Sequence, residues 1–332
     1  MPLTAVSLFS GCGGFDWGAT QAGLKIIWAN DIEPHAAFAY KSIFPDVPFH
    51  TGDVRNILEF PKADVLIGCY PCTGFSIAAR RRWKGRTERD LTKTPGNFLY
   101  LEFIRALKQV EPKYFFVENV SGMISAKEGW FFEQQLQGFR DLGFTPLVKA
   151  LRAQDFGAAQ DRRRIFIVGI RNDIYEKFQY QFPTPQFGPA TDQPYRTMQD
   201  VIGDMDPWPE GEFYNLPFHG HYLTRNRKRN WNQTSFTIVA SASHIPLHPS
   251  GDPMVYVSKD NWALQGETNR RLSWKECLRL QCLPEHMETD GSLEDKYKVV
   301  GNAVPPVFAK AIIDPIVQYE KALDDQLLAK HS

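Results

Sequence analysis

The chain has 332 residues, 43% of them hydrophobic and 23% charged, with 38 basic residues against 38 acidic. That is an ordinary globular composition, enough for one large domain and a smaller one, and no apolar run in it is long enough to span a bilayer. Five cysteines without a disulfide-like layout, and an N-terminus lacking the basic region of a signal peptide, point to a reducing, cytoplasmic setting. A net charge of zero neither favours nor excludes a nucleic-acid partner, because clustering of charge matters more than its sum.

Residues 5–9 read as a first strand. They lead directly into Ser10-Gly-Cys-Gly-Gly-Phe-Asp-Trp-Gly18 and then into helix-like spacing. Strand, glycine-rich turn and helix open a dinucleotide-type fold, in which backbone N–H groups approach a ligand at a helix N-terminus. The turn is not G-x-G-x-x-G, so a tight turn that binds nothing is the competing reading. Residues 25–29 read as a second strand ending at Asn30, Asp31, Ile32 and Glu33, and an acid at that tip is the usual partner of ribose hydroxyls. Asp53, beside Val54, stands near a third strand end, where it could meet an adenine amino group. Together these positions describe an adenosine-containing cofactor, although any one acid alone could be a solvated residue or a helix cap.

Val65, Leu66 and Ile67 form the short β-branched run of a strand covered on both faces. Gly68 ends the run, Pro71 rigidifies the exit, and Cys72 follows at the carboxyl edge, where open α/β sheets bind ligands. A long stretch from 77 to 96 carries Arg80, Arg81, Arg82, Lys84, Arg86 and Arg89, and reads as a lid with phosphate contacts. A thiol beside such a stretch suggests a nucleophile acting on a polyanion. Two other readings stand at this point. A single Cys is commonly a small buried hydrophobe. Cys69 and Cys72 also spell C-x-x-C, a redox pair or half a zinc site whose other half would be Cys277, Cys282 and His286.

A helix is expected over 98–110, closed by Pro112. A buried strand over 113–120 ends in Glu118 and Asn119, and a carboxyl there must be paired or desolvated. A helix over about 129–142 leads to Phe144, Pro146 and Val148. Then Gln160, Arg162 and Arg164 alternate, which on a strand puts the two arginines on one face.

In this order, Phe9-Ser-Gly-Cys-Gly-Gly-Phe15, Pro71-Cys72, Glu118-Asn119-Val120 and Gln160-x-Arg162-x-Arg164 resemble the C5-cytosine DNA methyltransferase family. Asn269-Arg-Arg-Leu-Ser-Trp-Lys-Glu-Cys-Leu-Arg-Leu-Gln281 resembles its Arg-x-Leu-Ser…Glu-x-x-Arg-Leu-Gln motif, and Gly301-Asn302-Ala-Val304 its C-terminal Gly-Asn-x-Val motif. The resemblance covers nearly the whole chain. It implies an α/β, Rossmann-like, S-adenosylmethionine-dependent methyltransferase fold with a smaller, irregular target-recognition domain. Residues 1–182 would be catalytic and bind the cofactor, completed by 295–332, and 183–294 would recognise the target.

The roles implied by the resemblance follow. S-adenosylmethionine would be held by Phe9, Gly11, Gly13, Phe15, Asp31, Ile32, Asp53, Val54 and Asn302. Cys72 would add to C6 of a flipped-out cytosine, Glu118 would act as acid or hydrogen-bond partner near N3, Asn119 would order the Pro71-Cys72 turn, and Arg162 and Arg164 would face the pyrimidine and its surroundings. No metal is implied. Thr73 stands where the family usually has Gln. The partner would be double-stranded DNA bound by a monomer, with no membrane and with room for a cognate restriction endonuclease acting separately. Between 183 and 266 prolines and aromatics are frequent, and Arg225, Arg227, Lys228 and Arg229 cluster beside Trp231. Cations there suit phosphates and guanine edges, so Arg225, Arg227 and Arg229, with Arg80, Arg81 and Arg82, are the expected DNA contacts. Residues 234–240 read as a strand of the smaller domain. A tRNA cytosine methyltransferase and a non-catalytic DNA-binding module remain as alternatives.

Overall fold

A computed structural model describes residues 1–71 and 94–331. Cys72, Thr73, Arg80, Arg81 and Arg82, with most of the basic stretch, lie outside the described residues. The centre of the protein is a seven-stranded sheet in the order β3-β2-β1-β4-β5-β8-β6. Its strands are β1 (Thr4–Leu8), β2 (Lys25–Asp31), β3 (Phe49–Thr51), β4 (Val65–Gly68), β5 (Tyr114–Asn119), β6 (Phe144–Arg152) and β8 (Arg163–Arg171). The pairings from β3 to β5 are parallel; β8 runs antiparallel to both β5 and β6. A two-residue strand, β7 (Gln160–Asp161), precedes β8.

Strand alternation splits the apolar side chains between two layers. Tyr114 and Phe116 of β5 join Ala5, Ile67, Phe166 and Val168 on one face, with Phe15 and Ala19 of α1 (Gly14–Gln21) and Phe308, Ile312 and Ile316 of α9 (Pro306–His331) packed over them. Phe115 and Val117 point the other way, towards Phe103, Ala106, Leu107 and Val110 of α3 (Tyr100–Val110) and Phe131, Leu136 and Phe139 of α4 (Trp130–Asp141). The buried α3 positions fall at i, i+3, i+4 and i+7, one stripe of a helix. Each fully buried large side chain contributes about 1.5–3 kcal/mol relative to exposure. Gly18 lets α1 approach the C-terminal segment: a Cβ there would lie 2.0 Å from the Pro306 carbonyl oxygen.

The third core lies beside the sheet. It unites Ala36 and Tyr40 of α2 (Pro34–Ile43) with Met198 and Ile202 of α6 (Met198–Ile202), Cys277 and Leu280 of α7 (Trp274–Leu280), and Tyr297 and Val300 of α8 (Leu293–Asn302). The remaining short elements are α5 (Asn172–Tyr175), β9 (Ser235–Phe236), β10 (Val255–Ser258) and β11 (Asn261–Ala263). Helices α7 and α8 are signalled in the sequence by capping boxes, Ser273 with Glu276 and Ser292 with Asp295.

Two expectations are corrected here. The strand expected over 234–240 shrinks to Ser235–Phe236, paired with β7, because Ile238 hydrogen-bonds to side chains instead of a ladder: its N–H donates to Gln160 Oε1 and its carbonyl accepts from Arg162. Within residues 293–329 one 18-residue window is apolar enough by composition to cross a bilayer, where the sequence reading expects no such run. That stretch is a core element instead: 72% of its apolar window is buried inside the protein, and α8 ends at Asn302 before α9 begins at Pro306.

Candidate active site

The site begins where β1 ends. Phe9 takes a left-handed φ of 55°, a conformation unfavourable for a residue with a side chain, and so turns the chain sharply out of the sheet. Gly11 follows at φ 56° and donates its N–H to Asp31 Oδ2 at 2.8 Å. Space above it is open, since a Cβ there would meet nothing within 4 Å; the positive φ is what requires glycine. Asp31, the last residue of β2, also accepts the Glu33 N–H at 2.9 Å, yet burial raises its carboxyl above the ordinary range. Ile32 beside it is 64% exposed. A carboxylate, a half-buried Phe9 ring and an exposed isoleucine thus border open space above a glycine turn. This combination fits an adenosine-containing cofactor, with a polar partner for ribose and apolar surface for a ring.

Other members of the expected cofactor set are placed differently. Phe15 is buried in the core, with its ring 6.1 Å from that of Phe116. Gly13 is the N-cap of α1, buried against Tyr40 and Phe44. Asp53 caps its own turn by accepting the Arg55 N–H at 3.0 Å and pairs with the Arg55 guanidinium, which lowers its carboxyl pKa. Val54 is buried, and Asn302 is exposed at the end of α8.

Asp16 is a residue whose role the sequence conceals. It is fully buried in the first turn of α1 and accepts from Ser7 Oγ and Tyr40 Oη, both at 2.8 Å. Ser10 Oγ donates to Ser7 Oγ at 3.0 Å, so this network ties β1, the glycine turn and α2 together. Burial without a cation pushes the Asp16 carboxyl up to about 6.

The second half of the site stands at the ends of β4 and β5. Glu118 is nearly buried, and Arg164 Nε lies 2.8 Å from its Oε1. Asn119 Nδ2 donates to the Tyr70 carbonyl at 3.3 Å, and Asn119 Oδ1 accepts the Val120 N–H at 2.7 Å. Tyr70 is itself held by its hydroxyl, which donates to Gln135 Oε1 at 2.6 Å. Asn119 and Gln135 therefore fix the chain two residues ahead of Cys72. The Cys69 thiol is pushed well up by burial first and then by Glu118, Asp16 and Asp31. Those three carboxylates thus surround one sheet edge, and they keep Cys69 protonated and unsuited to redox chemistry. Cys277 packs in the third core and Cys282 against the first.

Arg162 and Arg164 lie near one another: burial first and then Arg164 push the Arg162 guanidinium well below its ordinary range, and Glu118 opposes that. Arg162 lies between β7 and β8, before the alternation begins, and is buried. Its Nη1 donates to the carbonyls of Ile238 and Gly301 at 3.0 and 3.2 Å, while Nε has no acceptor among the described residues. These bonds make a seam, tying the start of β8 to the 183–294 interval at Ile238 and to α8 at Gly301. Gln160 belongs to the same seam: its Nε2 donates to Gln281 Oε1 at 2.8 Å, and Gln281 Nε2 donates to the Val300 carbonyl at 2.8 Å.

The basic cluster at 225–229 is also corrected. Arg227 is 5% exposed and donates to the carbonyls of Tyr222 and His244, so it is an interior brace and not a DNA-facing cation. Lys228 is buried too, with Nζ on Asn269 Oδ1 and the Ser250 carbonyl. Arg229 is half-buried, its guanidinium 4.3 Å from the Phe236 ring centroid, while Arg225 is exposed. The interval is anchored by Arg270, whose guanidinium grips both oxygens of buried Glu276 at 2.9 and 2.6 Å.

A mostly parallel sheet closed by antiparallel β8, a glycine turn after β1 and acids at the tips of β2 and β5 define the class: an α/β methyltransferase. A profile of the C-5 cytosine-specific DNA methylase family matches residues 3–318, and the chain belongs to that family. It is an enzyme, a DNA methyltransferase acting at C5 of cytosine. Among its relatives, type II methyltransferase M.BsuRI of Bacillus subtilis is 36% identical, aligned over 96% of this chain and 80% of its own. M.FnuDI of Fusobacterium nucleatum is 33% identical over 96% of each chain. In fold, the chain is similar to the S. pombe Dnmt2 methyltransferase, with TM-score 0.67 and 16% identity over 96% of this chain and 99% of that one.

Proposed function

We propose that this protein transfers a methyl group from S-adenosylmethionine to C5 of a cytosine extruded from double-stranded DNA, through a covalent bond between Cys72 Sγ and C6 of the ring. The observation that carries this reading is the convergence of Glu118, steadied by Arg164, with a chain exit clamped by Asn119 two residues before Cys72. Cytosine C5 is a poor nucleophile until a thiolate adds to C6 and turns the ring into an enamine. Glu118 would hydrogen-bond the ring at N3 and offset the charge that builds there during attack. Arg164 would hold that carboxyl in place, and Arg162 would hold the seam behind it. Bound S-adenosylmethionine, held by Phe9, Gly11, Asp31, Ile32 and Asn302, would supply the electrophilic methyl group. A base then removes the C5 proton, and the thiolate leaves, restoring the aromatic ring.

The target carbon is stacked inside a duplex, so the base must be flipped, at about a few kcal/mol. Residues 183–294 act as the target-recognition domain on the catalytic part formed by 1–182 and 295–332. The protein works as a monomer. Its relatives carry the name type II methyltransferase, which supports a restriction-modification role beside a separate endonuclease.

The test offers labelled methyl donor with duplex DNA and tRNA side by side, then maps the product by bisulfite sequencing. DNA should be labelled at cytosine in one sequence context. Cys72→Ala should keep cofactor binding and lose methyl transfer by at least about 10⁴-fold. Ordinary turnover by that variant, or no adduct with 5-fluorocytosine in the site, sinks the covalent route.

A further inference from the structure

The first turns of α2 and α8 meet in a group of charges that the proposed chemistry does not use. His35 of α2 lies between two carboxylates: its Nδ1 is 2.9 Å from Asp290 Oδ1 and its Nε2 is 3.6 Å from Asp295 Oδ2. Asp290 stands in the turn before α8, and Asp295 closes the capping box of that helix by accepting from the N–H and Oγ of Ser292. That turn fits closely around the ring, since a Cβ at Gly291 would lie 2.7 Å from His35 Cε1. One turn further along α8, Lys298 Nζ pairs with Glu33, the N-cap residue of α2. The Glu33 N–H donates to Asp31 Oδ1, and Asp31 Oδ2 accepts from Gly11, so the acid at the tip of β2 is pinned to the same cap. Asn302 ends α8, one turn beyond Lys298. The Asp290 hydrogen bond first, and then the charges of Asp290, Asp295 and Glu33, raise the His35 imidazole above its ordinary range against the cost of desolvation. Of the remaining charges of α8, Lys296 lies over the Trp274 ring, and Glu294 lines, with Asp295 and Lys298, a cleft shared with Ser241 and Ser243.

We propose that His35 with Asp290 and Asp295, and Glu33 with Lys298, form a clamp between α2 and α8 that positions Asp31 and Asn302 for the cofactor and closes on the protonated imidazole. This rests on the reading of the glycine turn as the S-adenosylmethionine site. His35 and Glu33 are positioning residues and touch no cofactor atom themselves. A neutral imidazole carries one N–H and serves one carboxylate; the imidazolium carries two and serves both. The proton is held more tightly with the clamp closed than with it open. The clamp is therefore complete below the ordinary imidazole value of about 6.5 and is lost as pH rises through the raised one. Cofactor binding selects the closed clamp, so the advantage that His35 gives to cofactor affinity disappears over the same window. Asp31 acts with the opposite sign, because its carboxyl ionises as pH rises and an ionised carboxyl is the better acceptor for ribose hydroxyls.

The test titrates the full chain with S-adenosylmethionine by calorimetry at about pH 6 and about pH 8.5, on either side of the imidazole range. Relative to His35→Ala, the wild type should bind about 2- to 5-fold more tightly at the lower pH, the size expected of partly exposed ion pairs, and equally at the higher. His35→Lys, a cation at both values, should keep the advantage at both. The loss in His35→Ala should fall on KM for the cofactor, with kcat at saturation unchanged. By linkage, bound cofactor should raise the pH at which the His35 ring titrates in proton NMR. A ratio of wild-type to His35→Ala affinity that is the same at both pH values overturns the clamp. So does a lysine variant that behaves like the alanine one, or a His35 ring that titrates alike with and without cofactor. A fall in thermal stability with unchanged affinities also overturns it, since His35 is then structural only. If the wild type binds no S-adenosylmethionine at either pH, the reading of the glycine turn falls and takes the clamp with it; if it binds and His35→Ala matches it at both, the clamp alone falls.

Discussion

Charged side chains at the carboxyl edge of the sheet and in the 183–294 interval are put to different uses. At the edge the buried carboxylates Asp16, Asp31 and Glu118 are held by hydroxyls, amide N–H groups and one guanidinium, with Arg162 the buried cation beside them. In the interval the buried charges are mostly cations. Arg271 donates to the carbonyls of Tyr214 and Leu216, Arg270 to that of Pro207, and Arg227 to two more. The difference follows from the backbone. Ladder hydrogen bonds satisfy the sheet, so side chains at strand ends are left for chemistry. An irregular interval leaves carbonyls without ladder partners, and buried carbonyls must find donors. Arginines fill that need, which is why a run of cations there is a poor guide to a DNA-facing surface.

The comparison can be broken at either region. The largest effect is expected at the edge: Glu118→Gln should lower kcat by about 10²- to 10⁴-fold and leave cofactor affinity within a factor of a few. If turnover barely changes, Glu118 does not touch the ring. In the interval, Glu276→Gln strands Arg270 and His248, which lies 3.4 Å from the carboxylate. Denaturant unfolding should show a loss of about 3–5 kcal/mol. A loss below about 1 kcal/mol would mean the arginine brace is dispensable.

The smallest effect is a pH dependence at Asp16, whose carboxyl rises from an ordinary 3.8 to about 6 on folding. The folded state therefore binds a proton more tightly than the unfolded one, and stability declines as pH rises from about 4 to about 6. Relative to Asp16→Asn, the wild type should lose about 2–3 kcal/mol over that window and stay level above it. A difference that rises with pH instead would place a cation near Asp16.

The strand ends were legible in the sequence because a buried strand followed by glycine or an acid is a local pattern. The core residues of β4 and β5, the glycine turn, and the positions of Asp31, Glu118 and Asn119 all follow from it. Helices α7 and α8 carry a local signal of their own, the capping boxes of Ser273 with Glu276 and Ser292 with Asp295.

The amino-acid sequence by itself determined the order of strands and the chemical types at their tips, since both depend on neighbours in the chain. Only the tertiary structure decided which charges are interior. Arg227 and Arg225 are two residues apart, yet one braces carbonyls from beneath and the other faces solvent. Phe15 and Phe9 flank one glycine turn, yet one fills the core and the other borders open space. Whether a side chain is buried depends on what distant segments lay over it, and on which of their backbone groups still need a partner.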